Sequence, residues 1–258
     1  MKEKKLPTQE IEKAVKERES KTEFKSHDFL HAKRVAIGAK WFAKQLGMSS
    51  HEQERAYIAG LVHDLGRPKT EKKDHTESSI LLSKKLLKKF SLAEEDQRKI
   101  VELVAMHLKG EQNMQKQVVF LADKILEQMG AQVVFRRALF VQEVDDYKDW
   151  NAIDAMEYQH SVRIKKFNPS VFQEKFRKLT EYQFAWSKES LEATQKKEPW
   201  LLELIEHCTE NVQKKGKTIN EIIKSFNPTY SKGKKYKKEA LLYITGKKFK
   251  LFERLIKK

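Results

Sequence analysis

The stretch Ala59-Gly60-Leu61-Val62-His63-Asp64-Leu65-Gly66-Arg67-Pro68 decides how the rest of this chain is read. A histidine and an aspartate stand side by side at the end of an apolar run, just before a glycine and a proline. Ile58, Ala59, Leu61, Val62 and Leu65 would bury the segment, and buried polar side chains need partners. Adjacent His and Asp at a helix end offer one imidazole nitrogen and two carboxylate oxygens to a common point. A divalent metal suits that point. A core histidine satisfied by a backbone carbonyl beside a C-terminal cap suits it as well, so the dipeptide alone leaves both readings open.

Apolar periodicity on either side is helical. It predicts helices over residues 26–46, with Ser26 or Asp28 as cap, and 51–65, with Ser49 or Ser50 as cap and Gly66-Arg67-Pro68 as stop. Further helices are expected over 75–90, 93–108, 117–129 and 133–167. Asn168-Pro169-Ser170 reads as a boundary, followed by amphipathic stretches at 171–188, 199–214 and 218–226. Residues 231–235 read as a loop. Residues 240–257 read as a helix broken at Gly246, with 241–245 as a strand in the alternative. No other alternating pattern appears, so the expected class is all-α. The expected parts are a charged N-terminal helical arm (1–22), a core domain (23–167) and a C-terminal extension (168–258).

Five consecutive predicted helices each carry an unusual polar group on or beside an apolar face: His31, His63 with Asp64, His75, His107 and Asp123. As independent burials they would be costly. Together they can converge on two closely spaced metal ions, with Asp64 bridging. Imidazole and carboxylate ligation suits Fe, Mn, Zn or Co, whose identity the residues leave open. Two such ions clamp a phosphoryl group and activate a water between them. His27 lies one turn before His31 but precedes the apolar run, and Asp28 beside it reads as a cap rather than a ligand. His51, His160 and His207 have no matching partners and read as ordinary surface or core histidines.

The segments His31-Ala32-Lys33-Arg34-Val35-Ala36, His63-Asp64-Leu65-Gly66-Arg67, His75, His107 and Leu121-Ala122-Asp123-Lys124-Ile125 resemble the HD superfamily of metal-dependent phosphohydrolases over roughly residues 23–150. The order His, His-Asp, His, His, Asp is the two-metal form of that pattern. The phrase Val119-Phe120-Leu121-Ala122-Asp123-Lys124-Ile125 is most similar to the bacterial bis(5'-nucleosyl)-tetraphosphatase (symmetrical) branch. Members of that branch split diadenosine tetraphosphate into two ADP. The resemblance implies an HD-domain helical bundle, and the basic, mainly helical C-terminal region lies outside it. The resemblance also implies one ion on His31, His63, Asp64 and Asp123, and another on Asp64, His75 and His107. Asp64 and Arg67 would then be the catalytic pair. Arg67 stands where many two-metal members have a lysine on phosphate, and a guanidinium can grip phosphate bidentately. Lys124 to Met129 replaces the proline-containing continuation expected in that branch. Arg136 and Arg137 are candidates for holding further phosphates, or else lie on a solvated helix face. Lys69 and Lys109 are weaker candidates of the same kind.

Composition bounds the rest. With 258 residues, 39% of them hydrophobic, a sizeable core can form. No apolar run approaches the roughly 20 residues of a membrane span. Met1 to Pro7 has no apolar stretch behind its charges, so no secretory signal is expected there. Cys208 is the single cysteine, which excludes an internal disulfide and a cysteine-based zinc site and fits a cytoplasmic setting. The net charge is +16. Residues 211–258 carry 15 Lys and Arg against 3 Glu, a net +12. Tyr230, Tyr236, Tyr243 and Phe249 interleave with those lysines. That pattern fits nucleic-acid binding, or a hydrophobic anchor with a solvated rim. The expected function is hydrolysis of a nucleotide phosphoanhydride, favouring a dinucleoside polyphosphate. A different nucleotide phosphatase or phosphodiesterase activity, and a nucleic-acid-binding module using the basic end, are the alternatives.

Overall fold

A computed structural model describes residues 5–20, 24–67, 75–107, 113–213 and 217–257. Two compact units divide the chain, Met1–Leu126 and Glu127–Lys258. No strand occurs among the described residues, in agreement with the all-α expectation. No described helix is long and apolar enough to cross a membrane.

The first unit is built on α2 (Phe29–Gln45) packed along α3 (Ser50–Val62). Asp28 starts α2: its Oδ1 accepts from the backbone N–H groups of Leu30 at 2.9 Å and His31 at 3.1 Å. Gly47, at φ +73°, follows the helix in the left-handed region that glycine tolerates best. Ser49 and Glu52 form a reciprocal capping box at the head of α3. Val35, Ala36, Ala39 and Phe42 of α2 and Ile58, Ala59 and Val62 of α3 are fully buried. Gly60 permits the close crossing, because a Cβ there would lie 2.5 Å from Ala36 Cα.

α1 (Thr8–Glu19), within the expected N-terminal helical arm, packs on α3 and α2. It buries Ile11 and Val15, and Glu12 accepts hydrogen bonds from both Lys33 Nζ and Tyr57 OH at 2.5 Å. α4 (Thr76–Leu87) and α5 (Glu94–Ala105) pack together, with α5 also against α3. The helix expected over 117–129 is instead a 3-10 turn (Met114–Gln117), a short α6 (Val118–Leu121) and a π-helical turn (Ala122–Glu127). Hydrophobic spacing cannot distinguish these windings over so few residues. Gly38 of α2 lets Ala122 approach, since an added Cβ would sit 3.0 Å from the Ala122 Cβ.

The second unit surrounds α7 (Gln132–Glu143), whose residues from Gln132 to Val141 are all buried. Around it lie α8 (Ala152–Lys166), α9 (Arg177–Gln195), α10 (Pro199–Gln213), α11 (Ile219–Ser225) and α12 (Ser231–Ile244), and α13 (Phe249–Ile256) packs on α9. The helix expected over 133–167 is interrupted between α7 and α8. Tyr147 turns inward there, and Asn151 caps α8 by accepting from Ile153 N–H at 2.9 Å. The boundary between units falls within the stretch 23–167, which the sequence presented as one domain.

The loop expected at 231–235 and the strand alternative at 241–245 are both corrected: residues 231–244 belong to α12, and Thr245 is its C-terminal cap residue. Tertiary packing overrides the Lys-Gly-Lys signal. The Tyr236 ring stacks on Trp200 at 4.5 Å and meets Trp186 edge-on at 5.0 Å, and its hydroxyl donates to the Trp186 carbonyl at 3.0 Å. Gly233 gives α12 room beside Pro228, whose Cβ would lie 2.8 Å from an added Cβ.

Gly60→Ala is expected to lower stability by about 1–3 kcal/mol, because the new methyl overlaps backbone. Leu81→Ala, at a side chain 67% exposed, is expected to leave the melting temperature nearly unchanged. Thermal unfolding of the two variants beside the parent chain measures the contrast.

Candidate metal centre

Helix ends assemble the centre. α3 stops at Val62, and His63 is its C-terminal cap residue. The His63 Nδ1–H donates to the Gly60 carbonyl at 2.8 Å, which points Nε2 away from the helix. His107, just past α5, repeats the device: Nδ1–H donates to the Val104 carbonyl at 2.6 Å. A helix end leaves carbonyls without intrahelical partners, and here they orient imidazoles and set Nε2 as the nitrogen carrying the lone pair. His31 comes from the first turn of α2, His75 caps α4 and Asp123 lies on the π-helical turn. The loop holding Asp64 is tied to α4. Ser83 Oγ donates to the Val62 carbonyl at 3.0 Å, and Gly66 N–H donates to Ser79 Oγ at 3.1 Å.

Asp64 divides the histidines. Its Oδ2 lies 3.6 Å from His31 Nε2 and 3.3 Å from His63 Nε2. Its Oδ1 lies 3.0 Å from His75 Nε2 and 3.6 Å from His107 Nε2. Asp123 Oδ1 lies 3.9 Å from His31 Nε2. Three candidate groups form among the described residues, and two of them, His31 with His63 and Asp123 and Asp64 with His75 and His107, take in all six expected residues, the facing atoms of each within 4.8 Å of one another. All six residues expected to hold metal are therefore brought together.

The donor set fits divalent transition metals. His75 Nε2 and His107 Nε2 are 3.3 Å apart, and His107 already donates from its other nitrogen. Two nitrogens bound to one ion at about 2.1 Å, at tetrahedral to octahedral angles, lie about 3.0–3.4 Å apart. The charge states fit as well. For Asp64, burial works against ionisation, but His63, His31 and His75 hold the carboxyl well below the usual carboxylate range. Burial likewise opposes ionisation of Asp123, and Lys124 with His63 outweighs it. His107 is pushed down to about 3, by burial first and by His63 second, so it is neutral near pH 7. His63 moves the other way: burial lowers it, and Asp64 more than compensates.

Around these ligands stand charged groups. Lys124 Nζ donates to Asp123 Oδ2 at 2.5 Å, both side chains 5% exposed. Arg67 Nη1 lies 4.0 Å from Asp64 Oδ2, with 15% of the side chain exposed. Three residues of the neighbourhood were not singled out as site residues from sequence. His27 groups with His31 and Asp64, and its ring centroid is 5.1 Å from that of His31; its spacing of four from His31 was the available signal. Arg18 of α1 donates to the Leu65 carbonyl at 3.3 Å, and Glu19 beside it is pushed up to about 7. Burial is the main cause for Glu19, Arg18 opposes it, and Asp64 and Asp28 add to it. Nothing in the pattern of α1 marks these two, because only folding brings them to the centre.

Other expectations land elsewhere. Lys69 and Lys109 lie outside the described residues. Arg136 and Arg137 are not on a solvated face: both are buried in the second unit. Arg136 donates to the Glu127 carbonyl at 2.6 Å and Arg137 to Gln159 Oε1 at 2.8 Å. His51 pairs with Asp96 at 2.7 Å, His207 Nε2 meets the Ile222 carbonyl at 3.0 Å, and His160 is buried near Ser190.

Residues 28–129 match the HD domain family, a span that includes all six residues of the two ligand groups. Among solved structures, Bacillus subtilis YpgQ in complex with ADP is similar with a TM-score of 0.50 and 19% identity, over 75% of this chain and 99% of that one. A predicted HD superfamily hydrolase from an uncultured Thermotogales bacterium is similar with a TM-score of 0.49 and 19% identity, over 73% of this chain and 91% of that one. No curated protein matches the sequence.

Because Asp64 faces both ligand groups, Asp64→Ala is expected to remove most of the bound Mn²⁺ or Co²⁺. His31→Ala and His107→Ala are each expected to remove a part. Elemental analysis of the three dialysed variants beside the parent chain gives the comparison; equal retention in all three would contradict the bridging role.

Proposed function

We propose that this chain, whose residues 28–129 form an HD domain, is a two-metal phosphohydrolase that breaks a phosphate bond of a nucleotide. The observation that supports this most is the division of Asp64, one oxygen toward His31 and His63 and the other toward His75 and His107. Bound divalent ions would supply Lewis-acid stabilisation of the phosphoryl oxygens and acidify a water.

The chain's own residues would do the remainder. The Nε2 atoms of His31, His63, His75 and His107 and the carboxylates of Asp64 and Asp123 would hold the ions. Gly60 and Val104 carbonyls keep the His63 and His107 rings turned inward. Arg67, at the edge of the cluster, offers a planar pair of N–H donors to a phosphate oxygen pair. Lys69 follows it in the chain and belongs to the same proposed phosphate grip.

The favoured substrate is a dinucleoside polyphosphate such as diadenosine tetraphosphate, from the likeness of residues 119–125 to the tetraphosphatase branch. The ADP in the Bacillus subtilis YpgQ complex makes nucleoside diphosphates sensible products to look for. Nucleic-acid binding by the basic end is the weaker reading, because two of its expected stacking rings, Tyr236 and Tyr243, are buried.

The test is hydrolysis by the full chain loaded with Mn²⁺, Fe²⁺, Co²⁺ or Zn²⁺, on diadenosine tetraphosphate, nucleoside tri-, di- and monophosphates, cyclic nucleotides and short oligonucleotides. ADP from the tetraphosphate, abolished by Asp64→Asn, is the expected result. Turnover of another nucleotide alone would keep the reaction class and replace the substrate. A folded chain that takes up none of these ions would overturn the proposal.

A further inference from the structure

Asp123 and Lys124 are consecutive residues of the π-helical turn Ala122–Glu127, and both side chains are buried. Lysine is almost never buried this deeply without a purpose-built partner, because removing an ammonium from water is costly. The partner here is one oxygen of a ligand carboxylate. Lys124 Nζ holds Asp123 Oδ2 at 2.5 Å, while Oδ1 is the oxygen on the side of His31, 3.9 Å from its Nε2. A carboxylate with one oxygen committed to a charged donor presents only the other to an ion. An α-helix separates consecutive side chains by about 100°. The wider π-helical winding and the long lysine stem let neighbours in sequence share one buried point. The charge of Lys124 also reaches His107 of the other ligand group.

We infer that Lys124 is a positioning residue that keeps Asp123 a one-oxygen ligand, and so sets the affinity and coordination number of the ion held with His31 and His63. The inference rests on the two-metal reading and adds to it a residue outside the ligand set. A lysine present only to balance charge in the core would change folding stability when replaced. A lysine that restrains Asp123 changes metal binding with the fold intact.

The experiment uses the full chain, with Co²⁺ alone as probe. Co²⁺ affinity is read by chelator competition, coordination number by visible absorption, and fold by thermal melting. Lys124→Met is expected to weaken Co²⁺ binding by roughly 10- to 100-fold. It should also weaken the visible absorption, as Asp123 turns to offer both oxygens and the coordination number rises. Lys124→Arg, which keeps a charged donor, should restore most of the affinity and the parent spectrum. Should the Met variant fail to fold, Lys124→Gln, which retains a donor without the charge, is expected to shift affinity in the same direction. Parent-like affinity and spectrum in a folded Met or Gln variant would overturn the inference. Equal losses in folded Arg and Met variants would overturn it too. In either case the two-metal reading stands, whereas a parent chain that binds no Co²⁺ at all defeats both.

Discussion

Asp64 is asked to satisfy four imidazoles with two oxygens inside a buried pocket, and the first unit is arranged around that demand. An ionised carboxylate out of water needs charge or donors close by. His63, His31 and His75 supply them in the free chain, and a bound cation would take their place. This dual use requires the rings to arrive from four directions at fixed angles. The last turn of α3 and the end of α5 provide two of those directions through their free carbonyls. The starts of α2 and α4 provide the others.

Close backbone packing makes those directions repeatable. Gly60 lets α3 lie on Ala36, Gly38 lets α2 approach Ala122, and Gly66 presses on the backbone of Ser78 and Ser79. Each glycine lies near a ligand: Gly60 before His63, Gly66 after Asp64, Gly38 against the residue preceding Asp123. A methyl at any of these places would move helix axes by tenths of an ångström or more and so displace the six side chains from one another. The ion pair of Asp123 with Lys124 carries the same constraint to the outer side of the last ligand.

The second unit handles polar burial differently. Glu127 gathers Arg136 and the Tyr243 hydroxyl, the latter donating at 2.7 Å, and Gln159 gathers Arg137 and Tyr147. In both groups a buried charge or amide is met by a partner from elsewhere in the unit. Lys234, Lys235 and Lys238 of α12 are exposed while Tyr236 and Tyr243 are buried, and Lys248 is itself buried with its Nζ 2.9 Å from Glu239. Of the two accounts open for that interleaving, the structure favours the hydrophobic anchor with a charged rim.

The sequence by itself determined the helical class, the order of the helices bearing the polar groups, and the six residues that meet. It could do so because apolar periodicity is local and because histidines and aspartates on apolar faces are too costly to be scattered. Asp28 and the Ser49 cap were legible for the same reason, since capping acts within one turn. Only the tertiary structure decided which oxygen of Asp64 faces which histidine, that Asp123 lies on a π-helical turn, and that Arg18, Glu19 and His27 stand near the ligands. It also decided that Arg136, Arg137, Tyr236 and Tyr243 are buried, where the sequence allowed a solvated helix face for the arginines and exposed rings for the tyrosines. A side chain's surroundings in such cases come from helices remote in the chain, and burial against them outweighs any preference encoded among its neighbours.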